Sequence, residues 1–163
     1  YVSAGVRTNG SLWIWGRNCK GQLGDGTTVN KCSPVSVIGG FTDWCQVSLS
    51  MRTTAAVRTN GTLWSWGANY GQLGDGTTTH KSSPVSVVGG FTDWCSVAVG
   101  FCASAAIRTN GTMWAWGDNT VGQLGDGTKT AQCSPVSVVG GLTWTKLADK
   151  GGVGTNTAGL VTK

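Results

Sequence analysis

The heptapeptide Gly-Gln-Leu-Gly-Asp-Gly-Thr occurs three times, from Gly21, Gly71 and Gly122, at spacings of 50 and 51 residues. Other landmarks keep that period. Arg-Thr-Asn-Gly recurs from Arg7, Arg58 and Arg108, Trp-x-Trp-Gly from Trp13, Trp64 and Trp114, and Ser-Pro-Val-Ser-Val from Ser33, Ser83 and Ser134. A period near 50 residues marks a repeat architecture such as a propeller, not a unique globular fold. It also orders the explanation. Residues present in every copy belong first to the scaffold, and function is sought in what differs between copies.

Within one period the pattern is that of short strands. Gln46 to Leu49, and Ser96 to Val99 one unit later, alternate polar and apolar residues as half-buried strands do. Thr53 to Thr59 reads as a second strand and Thr62 to Gly67 as a third, with Trp64 and Trp66 on one face. Asn60-Gly61 between them predicts a tight hairpin of type I′, with positive φ at both residues. Gly71 to Ser83 is a long Gly- and Thr-rich loop, and Pro84 to Val88 is a short strand whose proline suits a start or an edge. Four short strands per unit predict an all-β fold of four-stranded antiparallel propeller blades. There are about three, at 1–46, 47–98 and 99–150, with 151–163 as the first strand of a fourth blade or a strand closing between subunits.

Three blades fall short of the four to eight that close a propeller. Ser3 to Thr8 resembles Thr157 to Thr162. The chain therefore reads as a window on a longer array, or as a subunit joined to copies of itself head to tail in a ring or fibre. All nine tryptophans fall on three repeat positions: Trp13, Trp64 and Trp114; Trp15, Trp66 and Trp116; Trp44, Trp94 and Trp144. They are expected as packing anchors between units.

Little in the composition supports catalysis. There is one histidine, His80, and no glutamate, so a zinc-hydrolase ligand set of the His/Glu kind is missing. Asp25, Asp75 and Asp126 recur, but Asp-Gly is turn chemistry and the spacing is not that of a helix–loop–helix calcium site. The glycines of Gly-Gln-Leu-Gly-Asp-Gly are not followed by the Lys-Ser/Thr of a phosphate loop. No enzyme activity and no cofactor or metal are expected. The +5 net charge is scattered along the chain, which disfavours a nucleic-acid arm, although Arg7, Arg58 and Arg108 would form a positive ring if they were free. No apolar stretch approaches the ~18 residues of a membrane span. Asn9, Asn60 and Asn110 are formal glycosylation sequons, but the hairpin turn already requires them, so a glycan is expected only on a secretory route.

Six cysteines stand out: Cys19, Cys32, Cys45, Cys95, Cys102 and Cys133. They lack the paired Cys-x-x-Cys spacing of zinc sites. Disulfides, with Cys19–Cys32 bridging the ends of the first long loop, would place the protein outside the cell, on a cell surface or on a virion. Buried thiols packing as small hydrophobes are the alternative.

Leu63-Trp-Ser-Trp-Gly67, followed by Gly-Gln-Leu-Gly-Asp-Gly-Thr, Ser-Pro-Val and a Trp before the next strand, resembles the repeat of the regulator of chromosome condensation 1 family over essentially the whole chain. That family includes exchange factors for a small GTPase, ubiquitin-ligase modules, secreted β-lactamase inhibitors and bacterial and phage proteins. The resemblance implies a propeller, commonly seven-bladed, that binds proteins through its loops. Where such repeats often carry His, this chain has Arg52 and Cys102. The expected function is a non-enzymatic interaction or structural module, assembling with further blades or copies, in an extracellular filament or virion appendage. An exchange factor or secreted inhibitor is the alternative. The stretches that vary between copies are Arg17 to Lys20, Ala68 to Tyr70, Asp118 to Val121, Val29 to Lys31, Thr79 to Lys81 and Lys129 to Gln132. Arg17, Tyr70, His80 and Lys129 within them are the candidate partner contacts, since exposed aromatics and Arg are enriched in hot spots.

Overall fold

The computed structural model describes residues 1–147. The residues expected to begin a fourth blade, 151–163, lie outside that range. Eleven strands form three antiparallel sheets. The first contains β1 (Val2–Val6), β2 (Leu12–Gly16) and β3 (Lys31–Ser36). The second contains β4 (Trp44–Leu49), β5 (Thr53–Arg58), β6 (Leu63–Gly67) and β7 (Lys81–Ser86), and the third β8 (Trp94–Val99), β9 (Ala103–Arg108), β10 (Met113–Gly117) and β11 (Gln132–Ser137). The fold is all-β, as the periodicity predicts, and the three blades do not close. Two expected blade boundaries, at 46/47 and 98/99, fall inside β4 and β8, because hydrogen bonding assigns each whole strand to the sheet that follows it.

The hairpin between β5 and β6 differs from the expected type I′ turn. Gly61 has φ 75°, and among the described residues none other than glycine has positive φ. Gly61 N–H donates to Arg58 O at 2.9 Å and Arg58 N–H to Thr62 O at 3.0 Å. This is the three-residue hairpin loop, a type I turn closed by one left-handed glycine. Asn60 supplies its side chain instead of its backbone: Oδ1 accepts from Thr62 N at 3.1 Å and Thr62 Oγ1 at 2.7 Å. Cys45 and Cys95 sit where the β4–β5 and β8–β9 registers slip, so each occupies a bulge beside a buried Trp.

Each sheet has a leading face toward the preceding blade and a trailing face toward the next. The trailing face of the first sheet (Leu12, Ile14, Val37) packs on the leading face of the second (Trp44, Ala56, Trp66). Ala55, Val57, Leu63 and Val87 on the trailing face of the second pack in turn on Trp94, Val97, Ala106 and Trp116. Period 2 thus places Trp64 and Trp66 on one face, as expected, while Leu63 and Ser65 serve the other. The alanines of β5 are fully buried because a sheet closes on each side of them, and those of β9 are almost fully buried between the second sheet and the segment carrying Trp144 and Leu147.

Each junction is also tied by hydrogen bonds. Gln22 O accepts from Trp66 Nε1 at 3.1 Å and from Thr54 Oγ1 at 2.8 Å. One repeat later Gln72 O accepts from Trp116 Nε1 at 2.9 Å and Ser104 Oγ at 2.8 Å. A Cβ at Gly24 or Gly74 would lie 2.6 Å from the indole nitrogen of Trp66 or Trp116, so the motif glycine lets the loop sit against the next blade's indole.

Candidate functional site

β5 pairs with β6 so that Thr53 lies opposite Gly67. The turn at 50–52 and the long loop at 68–80 therefore leave the sheet at the same end. Gln22 Nε2 donating to Met51 O at 3.3 Å ties one blade's long loop to the next blade's turn at this end. The opposite end carries the Asn-Gly hairpins and the linkers between blades. The two ends form the two faces of the assembly, and the copy-specific residues lie on the long-loop face.

The frame of each long loop is built from its shared residues. Fully buried Asn69 donates through Nδ2 to Asp75 Oδ1 at 3.0 Å, Thr77 O at 3.0 Å and Thr79 O at 3.3 Å, and accepts from Gly71 N at 2.9 Å. Asn18 and Asn119 do the same work in their copies. Asp25, Asp75 and Asp126 each accept from the backbone N–H and hydroxyl of the threonine two residues on. Lys31 adds an ion pair to Asp25 at 3.3 Å and Lys81 to Asp75 at 3.7 Å, whereas the third copy has Gln132 at that position. Partial burial pushes the Asp25 carboxyl up, but hydrogen bonds from Thr27, Lys31 and Asn18 outweigh it and hold the group below its ordinary value. Asp126 is likewise lowered, chiefly by the Thr128 backbone N–H. These carboxylates are spent on turns, as their sequence context suggests.

The four expected contact residues are all exposed on this face, in three successive loops. Only Tyr70 and His80 touch, edge to face at 5.4 Å, with Tyr70 56% exposed. His80 has a structural duty as well: its Nδ1 accepts from Asn69 N at 3.0 Å, as Asn30 Oδ1 accepts from Asn18 N at 2.8 Å. Arg17 Nε lies 3.2 Å from Cys19 Sγ, and this bond, with the Arg17 and Lys20 charges, overcomes slight burial and lowers the thiol's pKa. Lys129 projects from the third loop. Met51 and Phe101, 39% and 44% exposed, join the same face from the short turns, and the Arg52 guanidinium lies 5.5 Å from the Phe101 ring.

The sequence reading assigned Asn18, Asn69 and Asn119 to variable stretches. Each is buried scaffold. The Asn stands three residues before the Gly-Gln-Leu-Gly motif in the outer copies but two before it in the middle one, so alignment on the motif hides it. In this structure all six cysteines are free thiols, and Cys19 and Cys32 are not bridged. Cys45 and Cys95 instead approach the carbonyls of Val57 and Ile107 at 3.3 and 3.4 Å, and burial followed by the nearby Asp43 or Asp93 charge raises both thiols. Nor do the repeated arginines form an open positive ring. Arg58 and Arg108 pair with Asp43 and Asp93 at 2.7 Å and stack on Phe41 and Phe91 at 3.9 and 4.1 Å.

Among the described residues no group of three or more His, Cys, Asp or Glu is placed to hold a metal ion, and no helix is long and apolar enough to cross a membrane. Asn9, Asn60 and Asn110 are exposed at the hairpin end.

Repeated Trp-bearing blades, loop frames built on Gly-Gln-Leu-Gly-Asp-Gly-Thr and blade-to-blade carbonyl ties define the class. The regulator of chromosome condensation (RCC1) repeat matches residues 9–57, 60–107 and 110–148. The chain belongs to that family. A zebrafish (Danio rerio) protein RCC2 homolog is 38% identical over 65 residues, covering 39% of this chain and 13% of its own length. Human WBSCR16 superposes with a TM-score of 0.73 at 24% identity over 83% of this chain and 35% of its own. Prp20p from Saccharomyces cerevisiae, studied for its binding to Gsp1p and histones, superposes equally well at 0.73 with 20% identity, over 86% of this chain and 36% of its own. Yeast RCC1 (Prp20) in a structure with Kap60 gives 0.73 at 17% identity, over 86% and 37%. The chain thus spans about a third of these structures and a smaller part of the zebrafish relative; the structures establish the fold.

Proposed function

We propose that the protein is a non-enzymatic interaction module, a run of propeller blades that binds a protein partner through its long-loop face. One observation carries this reading. The residues shared by all copies are consumed by the scaffold, while those peculiar to one copy (Arg17, Tyr70, His80, Lys129, Met51, Phe101) are exposed at one end of the sheets. A face with a rigid frame and variable side chains suits recognition of another protein. Yeast Prp20p, which shares the fold, was described together with its binding to Gsp1p, so a partner of that kind is consistent with this architecture. Exchange-factor activity is the narrower second reading and is tested by nucleotide release from a small GTPase.

The primary test is cross-linking from a photoreactive residue at position 70 in the native source, followed by binding to the captured protein. Tyr70→Ala and Arg17→Ala should weaken that binding at least tenfold, while Asn60→Ala on the opposite face leaves it unchanged. Equal loss from both faces would sink the assignment.

A further inference from the structure

Charge is not spread evenly over the long-loop face. One repeated bond fixes the equivalent positions. The motif glutamine accepts through Oε1 from the backbone of the residue before the motif: Gln22 from Lys20 N at 2.8 Å, Gln72 from Tyr70 N at 2.6 Å and Gln123 from Val121 N at 3.0 Å. The residue before the frame asparagine is Arg17, Ala68 and Asp118 in turn. The short turn of the following blade adds Arg52 at the first junction and Cys102 at the second. The first junction thus carries Arg17, Lys20 and Arg52, the second no charge at these positions, and the third loop a carboxylate.

The three cations are held together. The Gln22 side chain, which accepts from Lys20 N, also donates to Met51 O at 3.3 Å, so one amide joins the loop bearing Lys20 to the turn bearing Arg52. Arg17 lies against Cys19, next to Lys20. None of the three has a carboxylate partner. The ion pairs of this face are Lys31 with Asp25 and Lys81 with Asp75. Asp118 is engaged by Thr120 and by Gln123 Nε2 at 2.8 Å. Arg52 Nε is the one buried side-chain nitrogen or oxygen, among the described residues, without a hydrogen-bond partner. A charged donor left unsatisfied is costly, and the scaffold does not require this one, since Cys102 fills the equivalent position. Beside the Arg52 guanidinium lies the exposed ring of Phe101, 5.5 Å away.

We infer, resting on the loop-face reading, that the first junction is a carboxylate socket and that the partner presents an acidic segment to it. An Asp or Glu side chain of that segment seats on Arg52, whose planar fork suits a carboxylate, and Arg17 and Lys20 strengthen the local field. An apolar side chain next to it in the partner covers Phe101. Asp118, in the third loop, repels the acidic end and so orients the segment along the face. A phosphate backbone, charged at every step, would run on toward Asp118 and fits less well.

The test uses the 163-residue chain and a short fluorescent peptide alternating Glu with Leu, read by anisotropy. Gln for Glu in the peptide, or Arg52→Met in the protein, should weaken binding about tenfold. Arg7→Met, which removes the same charge at the hairpin end, should leave it unchanged. Arg52→Glu should bind the peptide made with Lys for Glu more tightly than the unsubstituted protein does, a gain that misfolding cannot produce. Equal binding of the Glu and Gln peptides, or equal effects of Arg52→Met and Arg7→Met, overturns the inference. So does a single-stranded oligo-dT that binds through Arg52 more tightly than the Glu peptide. On the partner captured at position 70, loss of binding with Tyr70→Ala but not with Arg52→Met strikes the socket and leaves the loop-face reading standing; no loss from either strikes both.

Discussion

The two ends of the sheets descend from one repeat and differ in what they keep. At the hairpin end the second and third blades match bond for bond. Asp43–Arg58 and Asp93–Arg108 both lie at 2.7 Å, and the Asn60 and Asn110 caps are alike. At the long-loop end the Asn–Asp–Thr frame recurs in every copy, but the third lacks the Lys–Asp pair and the side chains leaving the frame differ. His80 stands in for Asn30, Tyr70 has no aromatic counterpart in the other copies, and Phe101 replaces Met51. Identity is kept where a side chain serves the fold and released where it faces outward.

The comparison can be broken most severely at the loop frame. Asn69→Ala orphans the buried Gly71 N–H and removes the donor to Asp75 and to the Thr77 and Thr79 carbonyls, and should cost about 3 kcal/mol, read by denaturant unfolding. A loss below about 1 kcal/mol would mean that the frame holds without its buried amide. At the hairpin end, Arg58→Ala removes an ion pair and a stacked guanidinium and should cost about 1–2 kcal/mol, with Arg108→Ala matching it. Unequal losses would show that the two copies are not energetically equivalent.

Acid sharpens the same contrast. The folded Asp25 and Asp126 carboxyls titrate below the ordinary value of 3.8. Their contribution is therefore complete above that pH and is lost as pH falls through the lower folded values. Asp25→Asn should flatten the acid limb of a stability–pH curve; an unchanged limb would remove Asp25 as its source. The smallest effect is expected at His80→Asn. Asn30 already performs the same bond, so stability should stay within about 0.5 kcal/mol, while His80→Ala should destabilise more. Equal effects from the two would remove the structural role of His80.

Much of this was legible in the sequence. Period 2 in Leu63 to Gly67 placed both tryptophans correctly, and the repeat count set the number of blades. The turn type was missed because Asn-Gly suits two hairpins, and only the flanking Arg58–Thr62 bond distinguishes them. Asn69 was missed because one residue is absent between it and its motif, whereas burial answers to geometry instead of spacing. The expected contacts fell on one face because they were chosen as differences between copies, but Met51 and Phe101 lie in turns too short for sequence comparison to single out.

Gln22 and Gln72 carry a consequence for how the gene can change. Each offers its carbonyl to the Trp and hydroxyl of the following repeat, so what one period presents, the next is already made to receive. Removing or duplicating one whole period joins a familiar donor pair to a familiar acceptor. Length can then vary in steps of a blade with no new junction invented, whereas an insertion of half a period has no such partner waiting.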